Sequence, residues 1–66
     1  MTASQRLAEA NREIERCERE IERYQRARIM SADERVRTIA NLENEVRRWQ
    51  KQRAEAEAEL QPGFDL

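Results

Sequence analysis

Residues 29–36 read Ile-Met-Ser-Ala-Asp-Glu-Arg-Val and separate two segments that share the same seven-residue apolar repeat. The stretch contains neither Gly nor Pro. Its Ser31-Ala32-Asp33-Glu34 sequence is nevertheless typical of a helix N-terminus, because the serine hydroxyl can accept from the Glu34 N–H while the Glu34 carboxylate accepts from the Ser31 N–H. We therefore expect one helix to end before this cap and a second helix to begin at it.

On either side of this stretch, apolar residues recur at alternating spacings of three and four, as they do in a coiled coil. We call the two stripes together the seam. The first stripe contains Leu7, Ala10, Ile14, Cys17, Ile21, Tyr24 and Arg28. The second stripe contains Ile39, Leu42, Val46, Trp49, Arg53, Ala56 and Leu60. The other positions are rich in Glu, Arg, Gln and Ala, which favour helix, so we expect helices over about residues 4–30 and 32–60, joined by a turn at about 30–32.

Two architectures fit this repeat: an antiparallel hairpin, or one continuous helix in which the heptad phase slips. In a hairpin, residues that face each other have a constant sum of residue numbers. A sum of 63 pairs Tyr24 with Ile39 and Cys17 with Val46, and its midpoint lies between residues 31 and 32, where the cap lies. This agreement favours the hairpin.

The hairpin is expected to be one domain, residues 1–60, that does not bury its whole seam alone. The chain has 66 residues, of which 41% are charged and 38% hydrophobic, and domains this small rarely form a sufficient core. We expect an all-α hairpin with heptad packing that assembles into a four-helix bundle, as a homodimer or by docking to a larger protein. The residues expected to pack in this core are Leu7, Ile14, Cys17, Ile21, Tyr24, Ile39, Leu42, Val46 and Trp49.

The turn at residues 31–34 is followed by the seam residues Val36, Ile39, Leu42, Val46 and Trp49. In these features the chain resembles the plasmid repressor-of-primer family, whose members are antiparallel four-helix-bundle homodimers that bind paired RNA loops. That family presents an exposed aromatic residue among the RNA-contacting side chains of its first helix. Here Glu and Arg alternate on the first helix and Tyr24 lies in the seam. The resemblance therefore implies the fold, and the RNA-binding function does not follow from it.

The composition argues against an enzyme. The chain has no His, and Cys17 is its single Cys, so one molecule cannot form a zinc site, a Cys–His nucleophile, a Ser-His-Asp triad or an internal disulfide. We expect no catalysis, cofactor, metal site or small-molecule substrate, and a buried, unreactive thiol. No apolar run reaches the length of a membrane span or a signal peptide, so we expect a cytoplasmic protein that does not enter membranes.

An alternative function rests on one face of the second helix. The 13 basic and 14 acidic residues leave a net charge of −1, yet the residues Arg37, Asn41, Asn44, Arg48 and Lys51 form an outward stripe of hydrogen-bond donors. Such a stripe can follow the phosphates of a nucleic acid, which suggests a nucleic-acid-binding regulator. A solvated helix face is the simpler interpretation. Trp49 is expected on the opposite side, in the seam.

The last six residues, 61–66, read Gln-Pro-Gly-Phe-Asp-Leu and form a tail, because Pro62 and Gly63 stop the helix. In this tail, Gln61, Phe64 and Leu66 match the Gln-x-x-hydrophobic-x-hydrophobic peptides with which bacterial replication and repair proteins enter the groove of the sliding clamp. A linear docking motif is thus a further alternative. Folding of the two hydrophobic residues back onto their own bundle is the favoured interpretation.

Overall fold

The computed structural model describes residues 1–61, which form two helices packed against each other as a hairpin. The helices are α1 (Ala3–Arg26) and α2 (Ala32–Glu59), and no strand occurs in the described part of the chain. The all-α class and the hairpin are therefore confirmed. The molecule measures 52 × 18 × 16 Å, so its cross-section holds only two helices, each about 10–12 Å wide. Each helix consequently has a neighbouring helix on one side only.

α1 begins with a capping box that satisfies two backbone groups at the helix N-terminus. The Thr2 hydroxyl accepts from the Gln5 N–H at 3.1 Å, and the Gln5 side-chain oxygen accepts from the Thr2 N–H at 2.9 Å. The Thr-x-x-Gln spacing carries this signal in the sequence, and helical periodicity alone does not detect it. The box fixes the start of α1 at Ala3, one residue before the expected position.

α1 ends at Arg26, whereas periodicity placed its end near residue 30. The backbone becomes extended at Ala27, with φ −71° and ψ 126°, and the Ala27 N–H donates to the Tyr24 carbonyl at 3.2 Å. The Ala27 carbonyl in turn accepts from the guanidinium of Arg35 on α2. The chain reverses over residues 27–31, so Arg28 lies outside the helix and is exposed rather than part of the seam.

α2 begins where the cap predicts. The Ser31 hydroxyl accepts from the Glu34 N–H at 3.2 Å, which confirms Ser31 as the N-cap. Among residues 1–61, the reciprocal bond from the Ser31 N–H to the Glu34 carboxylate is not formed, so only half of the predicted capping box is present. Asp33 and Glu34 lie in the first turn, where their negative charge is favourable for the helix dipole. The helix ends at Glu59, with Leu60 as its C-cap.

The interior of the hairpin is small. In the described part of the chain the buried hydrophobic residues are Ala10, Ile14, Cys17 and Ala56, all of which belong to the seam. Three of these four are small residues. One neighbouring helix can cover an alanine or a cysteine completely, which is why these residues are buried. Larger side chains of the seam extend past that cover.

Candidate interaction surface

The structure leaves most of the expected packing residues half-buried. Of the nine, Ile14 and Cys17 are buried. The other seven have intermediate exposure: Leu7, Ile21, Tyr24, Ile39, Leu42, Val46 and Trp49. Arg53, in the second stripe, is also half-buried. A seam that is half covered in this way is an apolar surface that the hairpin offers to another helix.

Ion pairs cross between the helices on one side of the seam. We call this the paired side. It consists of the residues that directly precede seam positions 7, 14, 21, 39, 46, 53 and 60, namely Arg6, Glu13, Glu20, Thr38, Glu45, Gln52 and Glu59. Five of these seven are half-buried, and Gln52 and Glu59 are exposed. Arg6 contacts Glu59 at 2.5 Å, and this hydrogen bond raises the pKa of the Arg6 guanidinium. The residue numbers of this pair sum to 65, in agreement with a seam in which facing residues sum to 63.

Arg16 connects three carboxylates on the paired side. Its Nε lies 2.9 Å from Glu13 and its Nη2 lies 2.7 Å from Glu45 on α2, while Nη1 pairs with Glu20. Glu20 and Glu45 also have residue numbers that sum to 65, so they approach each other across the helices as like charges. The positive charge of the Arg16 guanidinium offsets the repulsion between these two carboxylates. Its hydrogen bond to Glu13 is the main cause of a raised Arg16 pKa.

The opposite side of the seam is more accessible. We call it the open side. It consists of the residues that directly follow positions 3, 10, 17, 24, 35, 42, 49 and 56, namely Ser4, Asn11, Glu18, Gln25, Val36, Glu43, Gln50 and Glu57. All eight are exposed. A groove on this side is lined by Ile21 and Val46 together with Glu18 and Glu43, and also by Arg47 and Gln50. The two helices are thus rolled toward the paired side, which leaves seam side chains accessible on the open side.

Two apolar residues beside the turn are exposed rather than packed. Ile29 is 99% exposed and Val36 is 69% exposed. Val36 therefore does not continue the second-helix seam, although the resemblance to the repressor-of-primer family counts it there. Arg35 takes the equivalent seam position, since it lies one turn before Ile39 and reaches the end of α1.

The candidate nucleic-acid face is exposed throughout. Arg37, Asn41, Asn44, Arg48 and Lys51 all have exposed side chains. The Asn44 oxygen accepts from Arg47 at 2.8 Å. Trp49 is only half-buried and lines an open groove beside Arg48, together with Met1 and Arg6, so it is less separated from this face than the sequence suggested.

A basic edge on α1 was missed by sequence reasoning. Arg12, Arg19 and Arg26 follow one another every seven residues and are all exposed, on the side of α1 that faces away from α2. Arg26 pairs with Glu22 at 2.8 Å. The heptad spacing of these arginines was available in the sequence, but their alternation with Glu hid the stripe.

Cys17 is buried and is a free thiol. Burial, and after it the negative charge of Glu45, raises the pKa of the Cys17 thiol. Arg16 Nη2 lies 3.6 Å from the sulfur. A buried, protonated thiol is a poor nucleophile, and the structure gives Cys17 the environment of a packing residue.

Comparison with known proteins gives no family to which the chain can be assigned. No protein-family model matches the sequence. No curated protein matches it, and no solved structure does. The resemblance to the repressor-of-primer family therefore stays a prediction, and function is argued from the chain's own residues.

Three further observations concern the remaining candidate sites. Neither α1 nor α2 has a segment both long and apolar enough to cross a bilayer. Residues 1–61 hold no cluster of three or more Cys, Asp or Glu side chains placed to bind a metal ion. Of the proposed linear motif, Gln61 is exposed at the end of the described residues, while Phe64 and Leu66 lie outside them.

Proposed function

We propose that this chain is a small, non-enzymatic interaction protein that acts by packing its seam against further helices. The observation that carries the proposal is the state of the seam: seven of nine packing residues remain half-buried in the hairpin. Burial of such side chains is favourable by about 25 cal/mol per Å² of apolar surface. A helix laid along the seam would gain this free energy, and the hairpin alone does not.

The completed assembly would have heptad packing. The cross-helix pair of Arg6 with Glu59 supports a register in which facing seam residues sum to 63. A four-helix bundle made of two copies is one such assembly, and a helix or helix pair from a larger protein is another. In both cases the added helices cover the larger seam residues that one neighbouring helix leaves accessible.

Site-specific photo-crosslinking in the native cell tests the proposal. A photoreactive side chain placed at Gln50, on the open side, should give covalent protein adducts whose peptides map to a helical segment. The same side chain at Asn44, which points away from α1, is the matched control and should give few. Equal adduct yields at the two positions, or none at either, would contradict association through the seam.

A second candidate function is contact with nucleic acid through α2. It is supported by the exposure of the whole stripe, and by the fact that Arg37, Arg48 and Lys51 form no ion pair within residues 1–61. An interface of this kind should weaken steeply as salt increases. The double variant Arg48→Glu/Lys51→Glu should abolish retention on single- and double-stranded RNA and DNA, and undiminished retention would eliminate this face.

A further inference from the structure

The groove on the open side combines an apolar floor with acidic rims, and this combination indicates what kind of helix fits it. This inference rests on the proposed function. Ile21 and Val46 line the groove and are half-buried, whereas Glu18 on one helix and Glu43 on the other are exposed along it. Arg47 also lines the groove, but its guanidinium donates to Asn44, which points away from α1.

Three of the eight open-side residues are Glu, and the row of residues beside the open side, away from the seam, adds three more carboxylates. In α1 and α2, the open side and the residues beside it away from the seam carry six exposed carboxylates and one exposed guanidinium. The carboxylates belong to Glu15, Glu18, Glu22, Asp33, Glu43 and Glu57, and the guanidinium to Arg47. Of these carboxylates, Glu22 already pairs with Arg26. Most of the basic residues lie elsewhere, notably at Arg12, Arg19, Arg26, Arg37 and Lys51. The net charge of −1 therefore conceals a face on which carboxylates outnumber guanidinium groups.

A second copy of the chain is a poor match for this face. A twofold dimer brings the same surface of both subunits together, so the carboxylates of this face, which outnumber its guanidinium groups, would meet like charges on the other copy. Contact between the open side of one copy and the basic edge of another is also unfavourable. That edge, with Arg12, Arg19 and Arg26, has no apolar stripe to fill the groove.

We infer that the open side binds a helix of another protein whose apolar stripe is flanked by Lys or Arg. The apolar residues of that helix cover Ile21 and Val46, and its cations pair with Glu18 and Glu43. This is the helix-in-groove mode of recognition, in which apolar anchors supply the affinity and charges select the partner.

A designed peptide serves as the probe. It is a three-heptad helix with Leu at the seam positions and Lys beside them, and binding to the purified full chain is measured by calorimetry at several salt concentrations. The matched peptide has Glu in place of Lys, and a second control has Ala in place of Leu. We expect only the Leu/Lys peptide to bind, and we expect its affinity to fall as salt increases.

Two variants of the chain locate the site. Glu18→Gln/Glu43→Gln should weaken binding of the Leu/Lys peptide about three- to tenfold, as expected for the loss of two exposed ion pairs. Glu34→Gln/Glu55→Gln removes the same charge from exposed positions that are not on the open side, and should leave the affinity unchanged. Equal effects of the two variants would overturn the assignment to this groove.

The remaining outcomes separate this inference from the proposed function. If the Lys and Glu peptides bind equally, charge does not select the partner, but helix association stands. If neither binds and the chain alone sediments as a dimer or larger assembly, a second copy occupies the seam and the inference is wrong. If neither binds and the chain is a stable monomer, both the inference and the proposed function fail.

Discussion

Replacing each of the four isoleucines by alanine removes the same side chain from different levels of burial. Ile14 is 5% exposed and Ile29 is 99% exposed, while Ile21 and Ile39 are half-buried. The free energy of unfolding of the isolated hairpin should follow this order. Ile14→Ala should cost about 2–5 kcal/mol and Ile29→Ala less than about 0.5 kcal/mol.

The half-buried isoleucines give the informative values. In the isolated hairpin, Ile21→Ala and Ile39→Ala should each cost about 1–2 kcal/mol, roughly half the value for a fully buried side chain. Alanine favours helix more than isoleucine does, by less than about 0.7 kcal/mol, which slightly reduces the cost at the helical positions. When a helical partner such as the Leu/Lys peptide is added at saturating concentration, the costs of Ile21→Ala and Ile39→Ala should rise toward that of Ile14→Ala. The reason is that the partner completes the burial of these two side chains.

Urea unfolding followed by circular dichroism measures these values, with and without partner. Since Ile14→Ala could unfold so small a domain, Ile14→Val provides a milder step of about 0.5–1.5 kcal/mol at the same site. A cost at Ile29 as large as at Ile14 would refute the burial pattern. Costs at Ile21 and Ile39 that do not change when partner is added would refute the argument that association covers the seam.

Three other perturbations test local features of the hairpin by thermal unfolding. Ser31→Ala should remove the cap of α2 and cost about 1 kcal/mol, whereas Ser4→Ala, inside the first turn of α1, should not destabilise; equal melting temperatures would contradict the cap. Arg16→Gln should lower the melting temperature more at low salt than at high salt, because Glu20 and Glu45 are left to repel each other, while Arg19→Gln should have little effect. Burial raises the folded-state pKa of the Cys17 thiol, so the contribution of the protonated thiol to stability should be intact below the ordinary thiol pKa and be lost as pH rises through the folded-state pKa. Cys17→Ala should flatten this alkaline loss of stability. Identical pH profiles of the variant and the unchanged chain would show that the thiol is not responsible.

Much of the fold could be predicted from the sequence, because its determinants are local. The Ser31 hydroxyl and the heptad spacing together predict a second helix over about 32–60, and α2 is Ala32–Glu59. The end of α1 could not be predicted in the same way. No Gly or Pro marks it, and the Ala27 carbonyl there accepts from the Arg35 side chain, which reaches it only after the chain has turned back.

The accessibility of the candidate surface was less predictable, because it depends on how far each helix is rolled about its own axis. A heptad stripe is equally consistent with a roll to either side. The contacts of Arg16 with Glu45 and of Arg6 with Glu59, together with the greater exposure of the open side, distinguish the two sides. Pairs along one helix are a poor guide to these contacts. Glu15 and Glu22 each have an arginine four residues further along α1, yet of these two, within residues 1–61, only Glu22 forms an ion pair with that arginine.

The charges at the open end of the hairpin also encode its antiparallel direction. Arg6 lies near the N-terminus of α1 and Glu59 is the last residue of α2, so each has the sign that its own helix dipole disfavours. In one continuous helix, or in isolated helices, both charges would remain at unfavourable ends. The antiparallel hairpin brings them to 2.5 Å, where each satisfies the other and each also meets the opposite pole of the neighbouring helix. Charges that are unfavourable for single helices therefore favour the packed pair and its antiparallel direction.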